Sequence, residues 1–218
     1  MNTLNTPPLA PLLSRLFEQA AATTSPLLAT ITRDERERLM RSKTEYLDLY
    51  GRLKDLWLPV SPETGKLLYM LARHANVRTA VEFGTSFGIS TLYIAAALRD
   101  NGGGHLITSE FEPSKVARAK EHVAEGGLVD LVEFREGDAL KTLAVDLPES
   151  IDLLLLDGAK ALYGDVLDLI EPYLRPGALI IADNVDYCPE YLERIRSASG
   201  GYMSLPYGDD VELSIRLS

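Results

Sequence analysis

The feature that most constrains the fold of this sequence is a repeated alternation of short apolar runs with helical stretches, beginning near residue 79. Each run ends at a glycine or an acidic residue. This alternation is typical of parallel strands joined by crossover helices, and it predicts a doubly wound α/β domain. The predicted strands are 79–83, 105–109, 131–135, 151–156 and 178–182, and the predicted helices are 89–99, 113–125, 139–144, 162–174 and 189–198.

The carboxyl-terminal residues follow a different pattern. Two short runs, 202–205 and 211–217, are separated by the turn-like segment Pro206-Tyr207-Gly208-Asp209. Proline, glycine and aspartate are the residues that turns favour. We therefore expect an antiparallel hairpin at the sheet edge, which completes a mostly parallel sheet of about seven strands.

The first 58 residues are predicted to form an amino-terminal helical extension of a domain at 59–218. A chain of 218 residues suits a single domain overall. Within the extension, 12–21 is amphipathic and is expected to lie on another surface or on a second subunit, so a homodimer is possible. Residues 32–58 have a charged helical pattern that ends before Pro59, and Ser61 is a predicted helix cap, with the helix continuing to residue 75.

Charge and cysteine content narrow the possible partners and location. The chain has 22 basic and 32 acidic residues, a formal net charge of −10, which disfavours binding to nucleic acid. Its single cysteine, Cys188, cannot form an internal disulfide. We recognise no signal peptide and no apolar run long enough to span a membrane. The expectation is a cytoplasmic protein that binds neither nucleic acid nor membrane.

The loop after the first predicted strand is a candidate binding loop, because ligands of open parallel sheets lie beyond the carboxyl ends of the strands. Gly84 and Gly88 permit a tight turn and a close approach of the backbone to a ligand. Their spacing differs from that of the dinucleotide-binding motif. Ser90 falls in the first helical turn, where free N–H groups favour a carboxylate. The alternative is that both glycines serve only the turn.

The next two strands end in acidic residues. Glu110 stands close to the distance after the glycine loop at which an acidic residue binds ribose hydroxyls. Asp138 is placed to accept a hydrogen bond from an adenine amino group. Together with the loop, these residues indicate a ligand made of a nucleoside and an amino acid. For each carboxylate the alternative is a solvated loop residue or a helix cap.

From Pro59 to its end, the sequence resembles the class I S-adenosylmethionine-dependent O-methyltransferases of the catechol and caffeoyl-coenzyme A group. The resemblance rests on the Glu-x-Gly-x-x-x-Gly loop and on Ser-Pro-Glu-Thr-Gly-Lys-Leu-Leu at 61–68. It implies a Rossmann-like methyltransferase fold and S-adenosylmethionine as the methyl donor. The donor-binding residues that it implies are Glu82, Gly84, Thr85, Ser86, Gly88, Ser90, Glu110, Phe111, Asp138, Ala139 and Asp157.

The ends of the fourth and fifth strands carry the predicted reaction centre. Asp157, Asp183 and Asn184 offer two carboxylates and an amide oxygen, a set suited to Mg²⁺ or Ca²⁺. Lys160, next to such a cation, is predicted to have a depressed pKa and to act as the general base. Asp157 is the second predicted catalytic residue. The resemblance supports these roles, because the family's Asp-x-x-Lys motif with a tyrosine three residues on reappears, ending at Tyr163. The alternative is ordinary strand-end carboxylates and a solvated lysine.

One departure from the family concerns the acceptor. Relatives follow the Asp-Asn pair with an apolar residue, Trp and Gly, and then a sizeable insertion, whereas this chain has Val185-Asp186-Tyr187-Cys188 and a short helix. The predicted function is methyl transfer to a catechol-like or phenolic hydroxyl of a small molecule, assisted by a divalent cation. The alternatives are a metal-independent O- or N-methyltransferase and a catalytically silent module that binds S-adenosylmethionine.

Overall fold

A seven-stranded sheet organises the computed structural model, which describes residues 2–24, 30–208 and 210–218. The strand order is β3-β2-β1-β4-β5-β7-β6, with β1 to β5 parallel and β7 antiparallel to both β5 and β6. The predicted fold, including the edge hairpin, is confirmed. The strands are β1 (Thr79–Phe83), β2 (His105–Glu110), β3 (Val132–Glu136), β4 (Ile151–Leu156), β5 (Leu174–Ala182), β6 (Tyr202–Tyr207) and β7 (Val211–Arg216).

The strand order reverses between β1 and β4, and this reversal creates the position for a ligand. Phe83 pairs with Ser109 of β2 on one side and with Leu156 of β4 on the other. The Asp157 N–H donates to the Phe83 carbonyl at 2.8 Å. The residues that follow β1, β2 and β4 are therefore held at one edge of the sheet.

Helices cover both faces of the sheet. One hydrophobic core joins α1, α4 and α5 to the sheet, and the other lies beneath α8 and α9. None of the helices in the described ranges combines the length and apolar character needed to cross a bilayer. The helices are α1 (Leu9–Ala22), α2 (Arg33–Arg41), α3 (Tyr46–Arg52), α4 (Pro62–His74), α5 (Ile89–Asp100), α6 (Pro113–Glu125), α7 (Ala139–Thr142), α8 (Tyr163–Ile170) and α9 (Pro189–Arg196).

The amphipathic helix α1 packs on its own chain. Leu9 and Leu16 are fully buried in the core that also contains α5. Arg15 and Glu125 of α6 form an ion pair at 2.6 Å. The apolar face that we expected to lie on another surface is therefore used within the monomer.

The prediction of one continuous helical element over 32–58 is wrong. The Ser42 hydroxyl accepts hydrogen bonds from the backbone N–H groups of Thr44 and Glu45, at 3.3 and 3.0 Å. Serine competes with the helix for backbone donors in this way, and the chain turns here. The result is two short helices, α2 and α3, which pack together through the small core of Leu39, Leu49, Leu53 and Leu56.

Two other predicted boundaries also differ. The helix predicted at 162–174 ends at Ile170, because Pro172 lies in a short 3₁₀ turn and the chain enters β5 at Leu174. Strand β6 continues through Pro206 to Tyr207, and an edge strand tolerates proline. The last residue of the predicted turn, Asp209, lies outside the described residues.

Candidate functional site

A cavity of about 390 Å³ lies at the carboxyl ends of β1, β2 and β4. Strand-end residues form its floor, and side chains of α2 and α3 cover it. These two helices of the amino-terminal extension thus lie over the predicted donor and reaction sites. The sequence-predicted residues that line this cavity are Gly84, Ser86, Glu110, Phe111, Asp138, Ala139, Asp157, Lys160 and Asn184.

Other predicted residues lie next to this cavity without lining it. Thr85 and Ser90 line a smaller neighbouring cavity of about 10 Å³, together with Trp57. Glu82, Gly88 and Asp183 lie outside the lining of both cavities, and Glu82 has no exposed surface. The structure therefore divides the predicted set into residues that face the cavity and residues that support those residues.

Backbone geometry explains the glycine that opens the loop. Gly84 has φ of +106°, a conformation that residues with a side chain rarely adopt. A Cβ atom at this position would lie 2.5 Å from the backbone nitrogen of Gly158. Any other residue would push the loop away from the end of β4. Gly84 is thus required where the cavity floor narrows.

Glu82 links the start of α5 to β2 through hydrogen bonds of its side chain. Its carboxylate accepts hydrogen bonds from Ser90 Oγ at 2.5 Å, Thr91 Oγ1 at 2.6 Å and Thr108 Oγ1 at 2.6 Å. Burial raises the pKa of Glu82 to about 7, although the three hydroxyls oppose the shift. The Ser90 hydroxyl, predicted to meet a ligand carboxylate, donates to Glu82 in this structure.

The raised pKa of Glu82 predicts that stability falls as pH rises. Between about pH 4.5 and about pH 7 the folded chain keeps a proton that the unfolded chain has released. Above this window the buried carboxylate costs roughly 3 kcal/mol of unfolding free energy. We expect Glu82→Gln, which keeps the shape without the charge, to be more stable than wild type at pH 8 and to lose this advantage at about pH 4.5. Urea unfolding at both pH values measures the difference, and an equal difference at both would contradict the assignment.

The two acidic residues of the predicted nucleoside site also organise the backbone. Glu110 accepts from the N–H groups of Ser86 at 2.8 Å and Phe111 at 3.0 Å, which fixes its carboxylate at the cavity wall. Asp138 caps α7, with Oδ1 accepting from the Leu140 N–H at 3.0 Å. Asp138 is therefore a helix cap, as in the alternative interpretation, whereas Glu110 holds loop N–H groups, and both residues line the cavity.

Lys160 stands at the centre of a buried polar group. Its ammonium donates to Asp157 Oδ1 at 3.0 Å and to Tyr163 Oη at 2.8 Å, and Tyr163 Oη donates to the Asp183 carbonyl at 2.7 Å. Burial acts to lower the pKa of Lys160, but Asp157, Tyr50 and Asp183 together outweigh it and raise the pKa. In the absence of a bound cation, the ion pair stabilises the charged form. The predicted depression of this pKa assumes a cation beside the lysine and stays a prediction. Lys160 is an ammonium at neutral pH.

The predicted metal ligands lie together, with one further acid. Burial raises the pKa of both Asp157 and Asp183; the Asp157 charge raises that of Asp183 further, whereas a hydrogen bond with Asp183 lowers that of Asp157. Asn184, in the left-handed region at φ +53°, donates to Asp210 Oδ2 at 3.1 Å. Asp210 lines the cavity and was not predicted, since it lies in the hairpin turn without any periodic signal. Among residues 2–24, 30–208 and 210–218, no three or more His, Cys, Asp or Glu side chains are arranged to hold a metal.

The extension contributes two polar groups that the sequence analysis missed. Arg36 of α2 and Tyr50 of α3 line the cavity. Arg36 Nε and Tyr50 Oη are buried and have no hydrogen-bond partner among the described residues. One signal was available: Arg36 lies one helical turn before Met40, which also lines the cavity, so the arginine shares an apolar helix face.

A buried lysine on α6 was also missed. Lys115 is 5% exposed, lines the cavity, and lies 5.4 Å from the centre of the Phe87 ring. Burial lowers its pKa, while the charges of Glu110 and Glu112 oppose the shift. The helical pattern of α6 gave no reason to place this cation inside the protein.

Known proteins are similar to this chain in sequence and in fold. Residues 81–185 match the family model of a methyltransferase domain. A catechol O-methyltransferase from Niastella koreensis is 36% identical over 131 residues, which cover 59% of this chain and 58% of the relative. Catechol O-methyltransferase B from Danio rerio is 33% identical over 175 residues, 76% of this chain and 65% of the relative. The chain thus spans about three fifths of the length of these curated relatives.

A solved structure extends the similarity to the fold. An O-methyltransferase from Bacillus cereus, determined in complex with SAH, superimposes with a TM-score of 0.69 at 25% identity. The superposition covers 79% of this chain and 89% of that one. The similarity therefore includes most of the sheet and the helices that position the cavity.

Proposed function

The chain belongs to the class I S-adenosylmethionine-dependent O-methyltransferases, and from this premise we propose that it transfers a methyl group from S-adenosylmethionine to a hydroxyl of a small acceptor. The observation that carries the proposal is the single cavity, which joins the nucleoside-side residues Glu110 and Asp138 to the Lys160–Asp157 pair. Donor and acceptor can therefore meet beside an ammonium group in a space closed by helices.

The donor half of the cavity suits an adenosyl compound. S-adenosylmethionine, when bound, supplies an electrophilic methyl group on a sulfonium. Glu110 would accept hydrogen bonds from the ribose hydroxyls, and Asp138 with Ala139 would contact the adenine. The backbone of the loop at Gly84 leaves room for the methionine part.

The acceptor half is apolar and aromatic, as a phenol or catechol requires. Met40, Leu47, Leu53, Leu58 and Tyr46 line it. Apolar walls with a few polar groups are typical of small-molecule sites. The names of the two curated relatives support a catechol-like acceptor.

Lys160 assists the reaction as a positive charge. Held as an ammonium by Asp157 and Tyr163, it would stabilise the oxyanion that forms when the acceptor hydroxyl releases its proton to water. That oxygen then forms the new bond to the methyl group as the bond from the methyl group to sulfur breaks. Such a preorganised charge acts where negative charge develops and needs no rearrangement during the reaction. The role of Lys160 is therefore electrostatic instead of that of a neutral base.

A divalent cation forms the second part of the proposal. Asp157, Asp183 and Asn184 would hold it, because carboxylate and amide oxygens are the ligands that Mg²⁺ and Ca²⁺ prefer. Burial raises the pKa of both carboxyls, and the Asp157 charge raises that of Asp183 further, so a nearby cation would favour their ionised forms. A bound dication would also fix the acceptor oxygen and lower its pKa.

Removing the cation is expected to lower turnover by about tenfold or more, because an ordered and polarised acceptor oxygen depends on it. Turnover measured with a chelator and again after adding Mg²⁺ tests this. Asp183→Asn should reduce turnover and abolish the response to Mg²⁺. Asp168→Asn is the matched control, since Asp168 lies on the surface of α8 and pairs with Arg194. Turnover that is indifferent to the chelator would establish the metal-independent alternative.

Methyl transfer itself tests the proposed function. The protein is incubated with S-adenosylmethionine and a panel of phenols, catechols and amines, and mass spectrometry identifies methylated products. We expect O-methylated catechols or phenols. Donor binding without any product across the panel would favour the silent binding module, and products methylated only on nitrogen would favour the N-methyltransferase.

A further inference from the structure

One cation in the acceptor half of the cavity has no charge partner among the described residues. Arg36 lies on α2 between two arginines that are paired: Arg33 with Glu37 at 3.0 Å, and Arg38 with Glu45 at 2.5 Å. Arg36 makes no ion pair within 4.0 Å in the described part of the chain, although it lines the cavity. Its Nε atom is buried and makes no hydrogen bond.

This arrangement is unfavourable unless something binds there. The buried Nε N–H of Arg36 has lost contact with water without gaining a partner among the described residues, which destabilises the empty site. A guanidinium also presents several N–H donors in a planar fork that matches the two oxygens of a carboxylate. The missing partner is therefore expected to be an anion that enters the cavity.

The position of α2 indicates that this anion belongs to the acceptor and not to the donor. The helix packs against 160–162 and 185–187, the segments that follow Asp157 and Asn184. On α2 itself, the other residue that lines the cavity is the apolar Met40. The loop at Gly84, by contrast, follows β1 at the edge of the sheet and contributes backbone groups to the donor side of the cavity.

Tyr50 indicates how the acceptor is oriented. Its buried hydroxyl has no hydrogen-bond partner in the described residues, and it lines the same cavity as Lys160. Tyr50 and Lys160 thus mark where the reacting hydroxyl lies. Arg36, on the other helix of the cover, marks where a second polar group of the same molecule would lie.

We propose that Arg36 is a specificity-determining residue that binds a carboxylate of the acceptor, so that the preferred substrates are aromatic hydroxy acids. This inference rests on the proposed function, because it names the substrate class of the same site. The aromatic ring would lie against the apolar wall, with its hydroxyl towards Lys160 and its carboxylate towards Arg36.

Equilibrium binding to the protein loaded with S-adenosylhomocysteine tests the inference without requiring turnover. The probes are protocatechuate, a catechol that carries a carboxylate, and its methyl ester, which lacks the charge. We expect wild type to bind the acid at least about tenfold more tightly than the ester, as a charge-assisted hydrogen bond predicts. Arg36→Gln should lose this preference while keeping its affinity for the ester.

Two further variants make the result specific. Arg33→Gln removes the same charge from an exposed position of the same helix and should keep the full preference. Arg36→Lys retains the charge without the planar fork and should keep a reduced preference. Thermal melting verifies that each variant is folded. If Arg36→Gln does not fold, the comparison of acid and ester binding in wild type and in Arg36→Lys decides the result.

The inference would be overturned by equal binding of acid and ester to wild type, by failure of both to bind, or by a preference that survives in Arg36→Gln. A preference for the acid that depends on Arg36, without methyl transfer to either probe, would uphold this inference and contradict the proposed function. The two failures are therefore distinguishable.

Discussion

Replacing Lys160 with methionine is expected to lower kcat by about 100-fold or more and to leave donor affinity within about twofold of wild type. The reason is that the ammonium, 4% exposed in its side chain and held by Asp157 at 3.0 Å, supplies the fixed positive charge for the ionised acceptor oxygen. Methionine keeps much of the volume and removes the charge. Steady-state turnover and calorimetric titration with S-adenosylhomocysteine measure the two effects.

The pH dependence of turnover is a second test of the role of Lys160. Because the pKa of Lys160 is raised, activity should not rise with a titration of this lysine between about pH 6 and pH 9. Tyr163→Phe keeps the charge but removes one hydrogen-bond partner of Lys160, so it should lose less activity than Lys160→Met. Equal losses in both variants, or normal turnover in Lys160→Met, would refute the electrostatic role.

Replacing Glu110 with alanine is expected to weaken donor binding by roughly 30-fold or more, with little further effect on kcat at saturating donor. Its carboxylate is fixed at the cavity wall by backbone N–H groups, and charge-assisted hydrogen bonds to two ribose hydroxyls are worth roughly 1.5–3 kcal/mol each. Calorimetric titration with S-adenosylmethionine measures the loss.

Glu112→Ala is the matched control for Glu110. Glu112 lies two residues further on, caps α6 by accepting from the Ser114 N–H, and lies outside the cavity lining. The same change of charge there should leave donor affinity unchanged. Equal donor affinity in Glu110→Ala and wild type would contradict the ribose assignment.

Much of the sheet was predictable because its local signals agree with its tertiary structure. Each parallel strand is a short apolar run, and the residues at its end face a common edge; Glu110 and Asp157 were found in this way. The break at Ser42 was not predictable from periodicity, since the leucines of α2 and α3 keep helical spacing across it. What ends the helix there is a hydroxyl that binds two backbone N–H groups.

The site was predictable where residues follow strands and less so where other elements contribute. Arg36 and Tyr50 come from the extension, and their contact with the cavity depends on how α2 and α3 fold over the sheet. The pKa of Lys160 depends on charges whose positions the sequence does not give: Asp157 and Asp183 raise it in the structure, whereas the predicted depression assumes a bound cation. The net effect of several charges on a pKa depends on distances that only the fold provides.

The folded extension also covers the cavity and is attached to the loop beneath it. Trp57 stacks on Phe87, with ring centres 4.3 Å apart, and Arg118 lies 5.2 Å from the Trp57 ring. These contacts fasten the end of the extension to the loop that follows β1. The acceptor cover and the donor loop are thus linked by one aromatic stack.

The central claim is that the cavity binds an adenosyl sulfonium at the carboxyl ends of the strands. A crystal structure of the protein with S-adenosylhomocysteine tests this claim most directly. We predict electron density for the ligand in the cavity, with the ribose at Glu110 and the sulfur facing Lys160. A cavity without the ligand at saturating concentration, or a ligand bound elsewhere on the protein, would contradict the account.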